Sequence, residues 1–285
     1  MLACAHFVLL ALVVCTFGRG WITGTGEKLA LFLAAGLFLG QISNSNAHEL
    51  IHRAARPMNR LGKWVFISLL FGHHASAHPK VHHRYVGSNL DPNSARAGQS
   101  YYRFAARAWK RSFVAGFRAE NEQRKVRGGL HPYVEYCLGA AAVMALAFEL
   151  GGWSGLAALL GLAVFAQSQL LLSNYVPHYG LRRQMDPDGR LEPVAERHSW
   201  NAPHRFTSHM MLNAPRHSSH HAHPARPYPD LTLPDAAPML PRSLPVMSVV
   251  ALIPPLWRRS MDARAATWSP EGHHDGGIGE TQQIA

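Results

Sequence analysis

Residues 29–53 read LALFLAAGLFLGQISNSNAHELIHR. The first part, 29–46, carries no charge over a length close to the lower limit for crossing a bilayer, about 17 residues. The second part sets His48 and His52 four apart, so on a continuing helix both imidazoles leave one face about one turn from each other. A membrane span that ends in two metal-ligand side chains is the reading around which the remaining sequence is organised. By itself an H-x-x-x-H pair is a weak signal.

Three other segments are apolar enough to span: 2–18, 133–150 and 153–172. The last two are joined by Gly151-Gly152-Trp153, a tight hairpin with an interfacial aromatic. Segment 2–18 lacks the positive n-region and cleavage site of a signal peptide, so it counts as a span. The runs at 64–71 and 244–257 are too short, or too broken by Pro254-Pro255, to span. They are expected at the interface or packed against the spans. From residue 268 the chain is polar and Gly-rich, which predicts a disordered tail holding His273 and His274. The expected architecture is all-α, with one membrane-embedded domain over 1–267 and a tail over 268–285.

Composition points the same way. Of 285 residues 47% are apolar and 16% charged, where about 25% charged is usual for soluble domains. The 19 histidines outnumber the 17 Asp and Glu together, and neutral imidazole is the commonest metal ligand. Cys4, Cys15 and Cys137 are scattered through apolar stretches with no C-x-x-C, which excludes a zinc ribbon and a disulfide framework. The net charge of +11 is not laid out as an interleaved basic and aromatic face, so nucleic acid is set aside. An anionic membrane leaflet accounts for the charge. Of the 28 Lys and Arg, all but Arg19 and Lys28 fall outside the loop between the first two spans and on one side of a four-span layout. The positive-inside rule makes that side cytoplasmic, and it also receives every His after His6.

Three further clusters join His48 and His52. In His78-Pro79-Lys80-Val81-His82-His83, a helix starting near Pro79 puts 78 and 82 on one face with 83 beside them. His73 and His74 are close by and are given supporting or surface roles. His178, within Asn174-Tyr175-Val176-Pro177-His178-Tyr179-Gly180-Leu181, follows the fourth span directly. In His217-Ser218-Ser219-His220-His221, the i, i+3, i+4 spacing sets three imidazoles on one helical face. His198, His204, His209 and His223 lack such spacing and are read as hydrogen-bonding or surface residues. The nine favoured histidines are too many for one metal, since a structural zinc takes four ligands, and enough for two. Soluble di-iron bundles use Glu and Glu-x-x-His pairs instead, and those are missing here.

The elements His48–Arg53, the H-x-x-x-H-H set, N-Y-V-P-H-Y-G-L and R-H-S-S-H-H-A-H-P-A-R-P-Y at 216–228 resemble the membrane alkane 1-monooxygenases. The wider superfamily holds membrane fatty acid desaturases and the xylene monooxygenase hydroxylase subunit. The similarity runs from about Glu27 to Ala265 and includes Asp91-Pro92-Asn93-Ser94-Ala95-Arg96 and His198-Ser199-Trp200-Asn201. The eight-residue N-Y-x-x-H-Y-G-L element is the part specific to the alkane hydroxylase branch. Two departures stand out: Pro177 where the family usually has Glu, and about four spans where members typically have six and a longer N-terminus.

The resemblance implies a multi-span transmembrane helical bundle with a cytoplasmic di-iron site. The implied reaction is terminal hydroxylation of medium-chain n-alkanes to primary alcohols with dioxygen, the substrate entering from the bilayer. Glu49, Asn174 and Asn201 are candidates to orient ligand imidazoles through their second nitrogens. The chain has no four-thiolate iron–sulfur site and no G-x-G-x-x-G after a strand. Electrons must therefore come from outside, by resemblance from rubredoxin. Arg103, Arg107, Lys110, Arg111 and Arg118 are the candidate docking surface for that acidic carrier. A fatty acyl desaturase or hydroxylase, or a xylene-type monooxygenase, is the alternative within the superfamily. A metal transporter or storage protein is the alternative outside it, disfavoured because ionisable residues are nearly absent from the spans.

Overall fold

In a computed structural model describing residues 1–268, every regular element among the described residues is helical. The first two helices are α1 (Leu2–Gly18) and α2 (Thr25–Ile51), both strongly apolar. Helix α2 is α-helical to Leu37, forms a π turn over Phe38–Ser43, and resumes as α-helix at Asn44. A π turn leaves carbonyls to be satisfied from outside the helix. Asn44 Nδ2 donates to the carbonyls of Gly40 (3.1 Å) and Ala166 (3.0 Å), and Gln169 Nε2 to that of Gly36 (2.9 Å). Position 40 must be glycine for this, because a Cβ there would lie 2.1 Å from Gln169 Nε2.

Helix α3 (Arg56–Ser68) begins with proline in its first turn and buries Val65, Phe66 and Ile67. Segment α4, residues 74–85, consists of two short α-helical turns around a π turn at His78–His82. Pro79 sits inside that π turn, where its missing N–H relieves the local ladder. Helix α5 (Tyr101–Arg127) is capped by Ser100 and ends at Gly128.

Helix α6 (Pro132–Tyr175) starts on the His131 side chain, which accepts from the Tyr133 N–H at 3.2 Å. Straight, its 44 residues would reach about 66 Å. It breaks at Gly152, whose φ of 57° and ψ of −153° are open essentially to glycine alone. Tyr136 on the first leg and Gln167 on the second both return to the end of α3: Tyr136 packs with Ile67, and Gln167 donates to the Leu69 carbonyl at 2.8 Å. The two legs are therefore an antiparallel hairpin turning at Gly151-Gly152-Trp153.

The remaining α-helices are α7 (Arg205–Met210), α8 (His217–Ala222), α9 (Leu244–Ala251) and α10 (Pro254–Thr267), with single 3-10 turns at Glu196–His198 and Tyr228–Asp230. The apolar run at 244–257 is divided as its prolines require. They close off α9 and occupy the first turn of α10, where a missing N–H costs nothing.

One core lies between α1, α2 and α6, with Leu39, Leu159 and Leu162 fully buried. His6 belongs to this layer, its ring nitrogens 2.6 Å from Ser43 Oγ and 2.7 Å from Ser68 Oγ, tying α1 to α2 and α3. A second core of Tyr175, Tyr179, Trp200 and Trp257 surrounds the end of α6. By length and composition two helices, Thr25–Ile51 and Pro132–Tyr175, can cross a membrane, and α1 is a shorter apolar helix of 17 residues. The tail expected over 268–285, with His273 and His274, lies outside the described residues except for Trp268.

Candidate metal centre

Nine histidines meet where α2 and α6 end. They sort into two sets, each with ligand nitrogens all within 4.8 Å of one another: His48, His52, His78, His83 and His220, and beside them His82, His178, His217 and His221. The sets touch, with the His83 and His221 rings 4.6 Å apart between centroids.

In seven of the nine, Nε2 faces Nε2. The spacings are 2.7 Å for His48 and His78, 2.9 Å for His78 and His83, and 3.1 Å for His83 and His220. In the second set they are 2.9 Å for His178 and His217 and 3.1 Å for His217 and His221. A metal–imidazole bond of about 2.1 Å puts neighbouring ligand nitrogens roughly 3 Å apart. The Nε2 atoms of His52 and His82 are buried with no protein partner, which a shared cation would supply. Burial, reinforced by neighbouring imidazoles, holds His78, His83, His220 and His221 well below the usual histidine range, and pulls His217 down to about 3. Neutral imidazole is the form that binds a metal, so the donor set fits a metal centre on geometry, burial and protonation.

The sets do not follow the sequence clusters. Spacing on an α-helix pairs His78 with His82, but the π turn at His78–His82 brings His78 and His83 into one set and sends His82 to the other. In α8, His217 and His221 share a set while His220 turns to the other. Both short helices thus feed both sets, and the three imidazoles of each cluster do not converge on one point.

The second set is anchored from behind. Asp91 Oδ2 lies 2.8 Å from His82 Nδ1, with both side chains fully buried. Asp91 is itself fixed by Ser94 Oγ (2.6 Å) and the Asn93 N–H (3.0 Å). His217 Nδ1 is 3.3 Å from the Ala214 carbonyl, and His178 Nδ1 is 3.5 Å from Ser199 Oγ. Carboxylate–histidine–metal arrangements of this kind set ring tautomer and orientation. Asp91 has no role in the spacing argument: nothing in a D-P-N-S loop nine residues beyond His82 says which imidazole it will meet.

None of the three residues assigned to orient imidazoles is hydrogen-bonded to one. Glu49 accepts from Arg53 and from the Tyr228 N–H (3.2 Å). The 48–52 stretch therefore matches the H-E-x-x-H spelling of zinc-protease helices with its glutamate turned away as a brace. Asn201 accepts from the Ser218 N–H (3.0 Å) and donates to Ser218 Oγ (2.6 Å), pinning the first turn of α8. Asn174 is buried with an unpartnered Nδ2. His73 and His74 are buried outside both sets, and His74 stacks near Phe66, Phe71 and His78. His198 is also buried, against Glu192 and the Ala195 N–H.

Of the basic residues on α5, Lys110, Arg111 and Arg118 line an open groove of about 1100 Å³ together with Lys80 and Arg84. Arg103 is exposed but does not line it. Arg107 reaches the groove wall but is committed to the fold, donating to the carbonyls of Pro92 (3.1 Å) and Ser94 (3.0 Å). It braces the loop that carries Asp91, because the carbonyls of that loop turn inward and need a donor.

A sequence model of the fatty acid desaturase family matches residues 28–250, and the chain belongs to that family. Among curated proteins it is 34% identical over 260 residues to alkane 1-monooxygenase 2 of Pseudomonas aeruginosa, covering 87% of this chain and 69% of that protein. It is 34% identical over 255 residues to alkane 1-monooxygenase 1 of the same organism, covering 87% and 65%. The xylene/toluene monooxygenase hydroxylase component of Pseudomonas putida is more distant, 28% identical over 220 residues, 74% of this chain and 57% of that protein. The chain thus spans about two thirds of the length of the alkane 1-monooxygenases it matches. Within that family its similarity is to these monooxygenases.

Proposed function

We propose that this chain is a membrane-embedded di-iron monooxygenase that converts the terminal methyl of a medium-chain n-alkane into a primary alcohol. One observation carries the reading: nine imidazoles sorted into two touching sets at the ends of apolar helices. When bound, the two irons would supply the activation of dioxygen and the oxidising power that an unactivated C–H bond demands. The protein's own part is distinct. His48, His52, His78, His83 and His220 would hold one ion, and His82, His178, His217 and His221 the other. Asp91 keeps the His82 ring oriented and its Nδ1 occupied. The apolar helices exclude water and accept a hydrocarbon from the lipid side.

In this reading α1, α2 and the two legs of α6 cross the inner membrane of a bacterium-type cell, with the histidine sets on the cytoplasmic face. Val8, Leu12, Leu29, Leu138, Leu146 and Val164 on those helices are all more than half exposed, an outward apolar surface of the kind a bilayer covers. Cysteine labelling at Gly152 from the cytoplasmic side only would overturn the layout.

The electron donor is a small acidic carrier of the rubredoxin type, docking at the groove lined by Lys80, Arg84, Lys110, Arg111 and Arg118, with Arg103 beside it. Charge complementarity acts mainly on encounter rate and is screened by salt. Reconstitution with carrier and reductase should give 1-octanol from n-octane, at a rate that falls as ionic strength rises. Oxidation of xylene or an acyl lipid in preference to octane would replace the alkane reading. Turnover with NADH alone would remove the carrier.

A further inference from the structure

Glu120, on α5, is a charged side chain to which the proposed chemistry gives no task. It is 2% exposed, and a carboxylate so far from water is costly unless it is paired and hydrogen-bonded. Its main partners come from α4. One oxygen, Oε1, accepts from Ser76 Oγ at 2.6 Å and from Lys80 Nζ. Lys80 Nζ also donates to Gln123 Oε1 at 2.5 Å, further along α5. Ser76 Oγ in turn accepts from the Tyr136 hydroxyl at 2.7 Å, on the first leg of α6. Arg124 Nη2 stands 3.6 Å from the other carboxylate oxygen.

The spacing of these contacts carries the argument. Tethers at 76 and 80 alternate with metal-ligand candidates at 78 and 82. Residues two apart leave a helix on nearly opposite sides, about 200° apart at 3.6 residues per turn. Ser76 and Lys80 accordingly reach α5, while His78 and His82 reach the histidine sets. The stretch they share is the π turn at His78–His82, a rare conformation that occurs mostly as single turns. Pro79 removes one N–H from it, and the two tethers fasten it to α5 and α6. His78 belongs to the first set and His82 to the second. One buried carboxylate therefore stands behind a member of each.

We propose that Glu120 is a positioning residue for both histidine sets, holding the π turn from behind through Ser76 and Lys80 so that His78 and His82 keep their places. It differs in this from Asp91, which meets one imidazole of one set directly. Release of the turn moves a ligand of each set at once, so the two ions should loosen together. The consequence for two ions rests on the proposed function; the hold on the turn does not.

The test uses the full chain in nanodiscs and two readouts other than activity. Chelator competition on the iron-loaded protein counts the ions that leave, and amide hydrogen exchange on metal-stripped protein follows residues 76–83. Glu120→Ala should give up both ions about tenfold more readily, the low end for losing a group that orients metal ligands. Exchange should quicken over 76–83 and stay unchanged in α8. Glu120→Gln keeps an acceptor oxygen at the same reach and should restore most of both properties. Glu120→Asp keeps the charge but is one methylene short, so it should behave as the alanine variant does, and it carries the test if that variant does not fold. Loss of one ion alone, faster exchange throughout the chain, or no change in either readout would overturn the proposal. If the wild type takes up fewer than two ions, the di-iron reading fails, and exchange over 76–83 still decides whether Glu120 holds the turn.

Discussion

The two histidine sets draw on the same short helices, yet they are held in different ways. All four members of the second set are buried, and three of them have the far ring nitrogen directed at Asp91, Ser199 or the Ala214 carbonyl. In the first set His48, His52 and His83 are only partly buried, and the Nδ1 atoms of His78 and His83 meet no protein partner. The second set has four donors, three of them pre-oriented. The first has a donor to spare and looser support. In the proposed reading, with one metal in each set, rigidity would keep the ion on one side and redundancy on the other.

The largest effect should come from breaking the set with no spare. His82→Ala leaves three donors and strips Asp91 of its partner. The purified variant is expected to hold about half the wild-type iron and to convert no octane. Elemental analysis showing the full metal content would break the comparison at its root.

Next is the support itself. Asp91→Asn keeps the side-chain shape but removes the charge that fixes His82. Losing such a partner typically weakens metal binding by 10–100-fold. Chelator competition should therefore remove one of two ions more easily, with the other unchanged. Uniform loss of both ions would mean that Asp91 supports the fold rather than one set.

A smaller effect is expected on the redundant side. His52→Ala leaves four imidazoles in the first set, as many as the second has by design. Its metal affinity should drop less than tenfold, and most of the iron should stay. If His52→Ala empties the site as His82→Ala does, five donors are required and the idea of a spare is wrong.

The sequence carries this picture only in part. That nine histidines would meet was legible, because three of the four clusters have ligand spacing and two of the four lie directly after apolar runs. Their sorting into sets was not, because helical spacing assumes α geometry and the π turn at His78–His82 shifts the register by one residue. The hairpin was legible in Gly151-Gly152-Trp153, since little but glycine reaches the backbone geometry at 152. Asp91 and Arg107 were beyond reach for one shared reason. Their roles come from a loop folded back between α4 and α5, and no local pattern encodes that contact. Glu49 and Asn201 read as ligand orienters by proximity in sequence, and both are occupied instead by backbone groups of distant segments.

The smallest effect separates burial from convergence. His73 is as buried as the second set but belongs to neither: it packs 4.3 Å from the Phe71 ring and 5.2 Å from that of Phe113, with Nε2 3.4 Å from Ser112 Oγ. Burial lowers its pKa from 6.5 to about 4. In the unfolded chain the same group takes up its proton first as pH falls. The stability contributed by keeping His73 neutral is thus complete above about pH 6.5 and is lost as pH falls from there to about 4. The full loss is about 3 kcal/mol. His73→Phe fills the same space without a titrating nitrogen. Thermal melts of metal-stripped protein should show the variant losing less stability than the wild type between pH 7 and pH 4.5. Iron content of the loaded variant should match the wild type. An unchanged pH slope would mean that His73 is not a buried neutral base. A loss of iron would mean that a histidine outside both sets still bears on the metals, and the boundary drawn around the two sets would have to move.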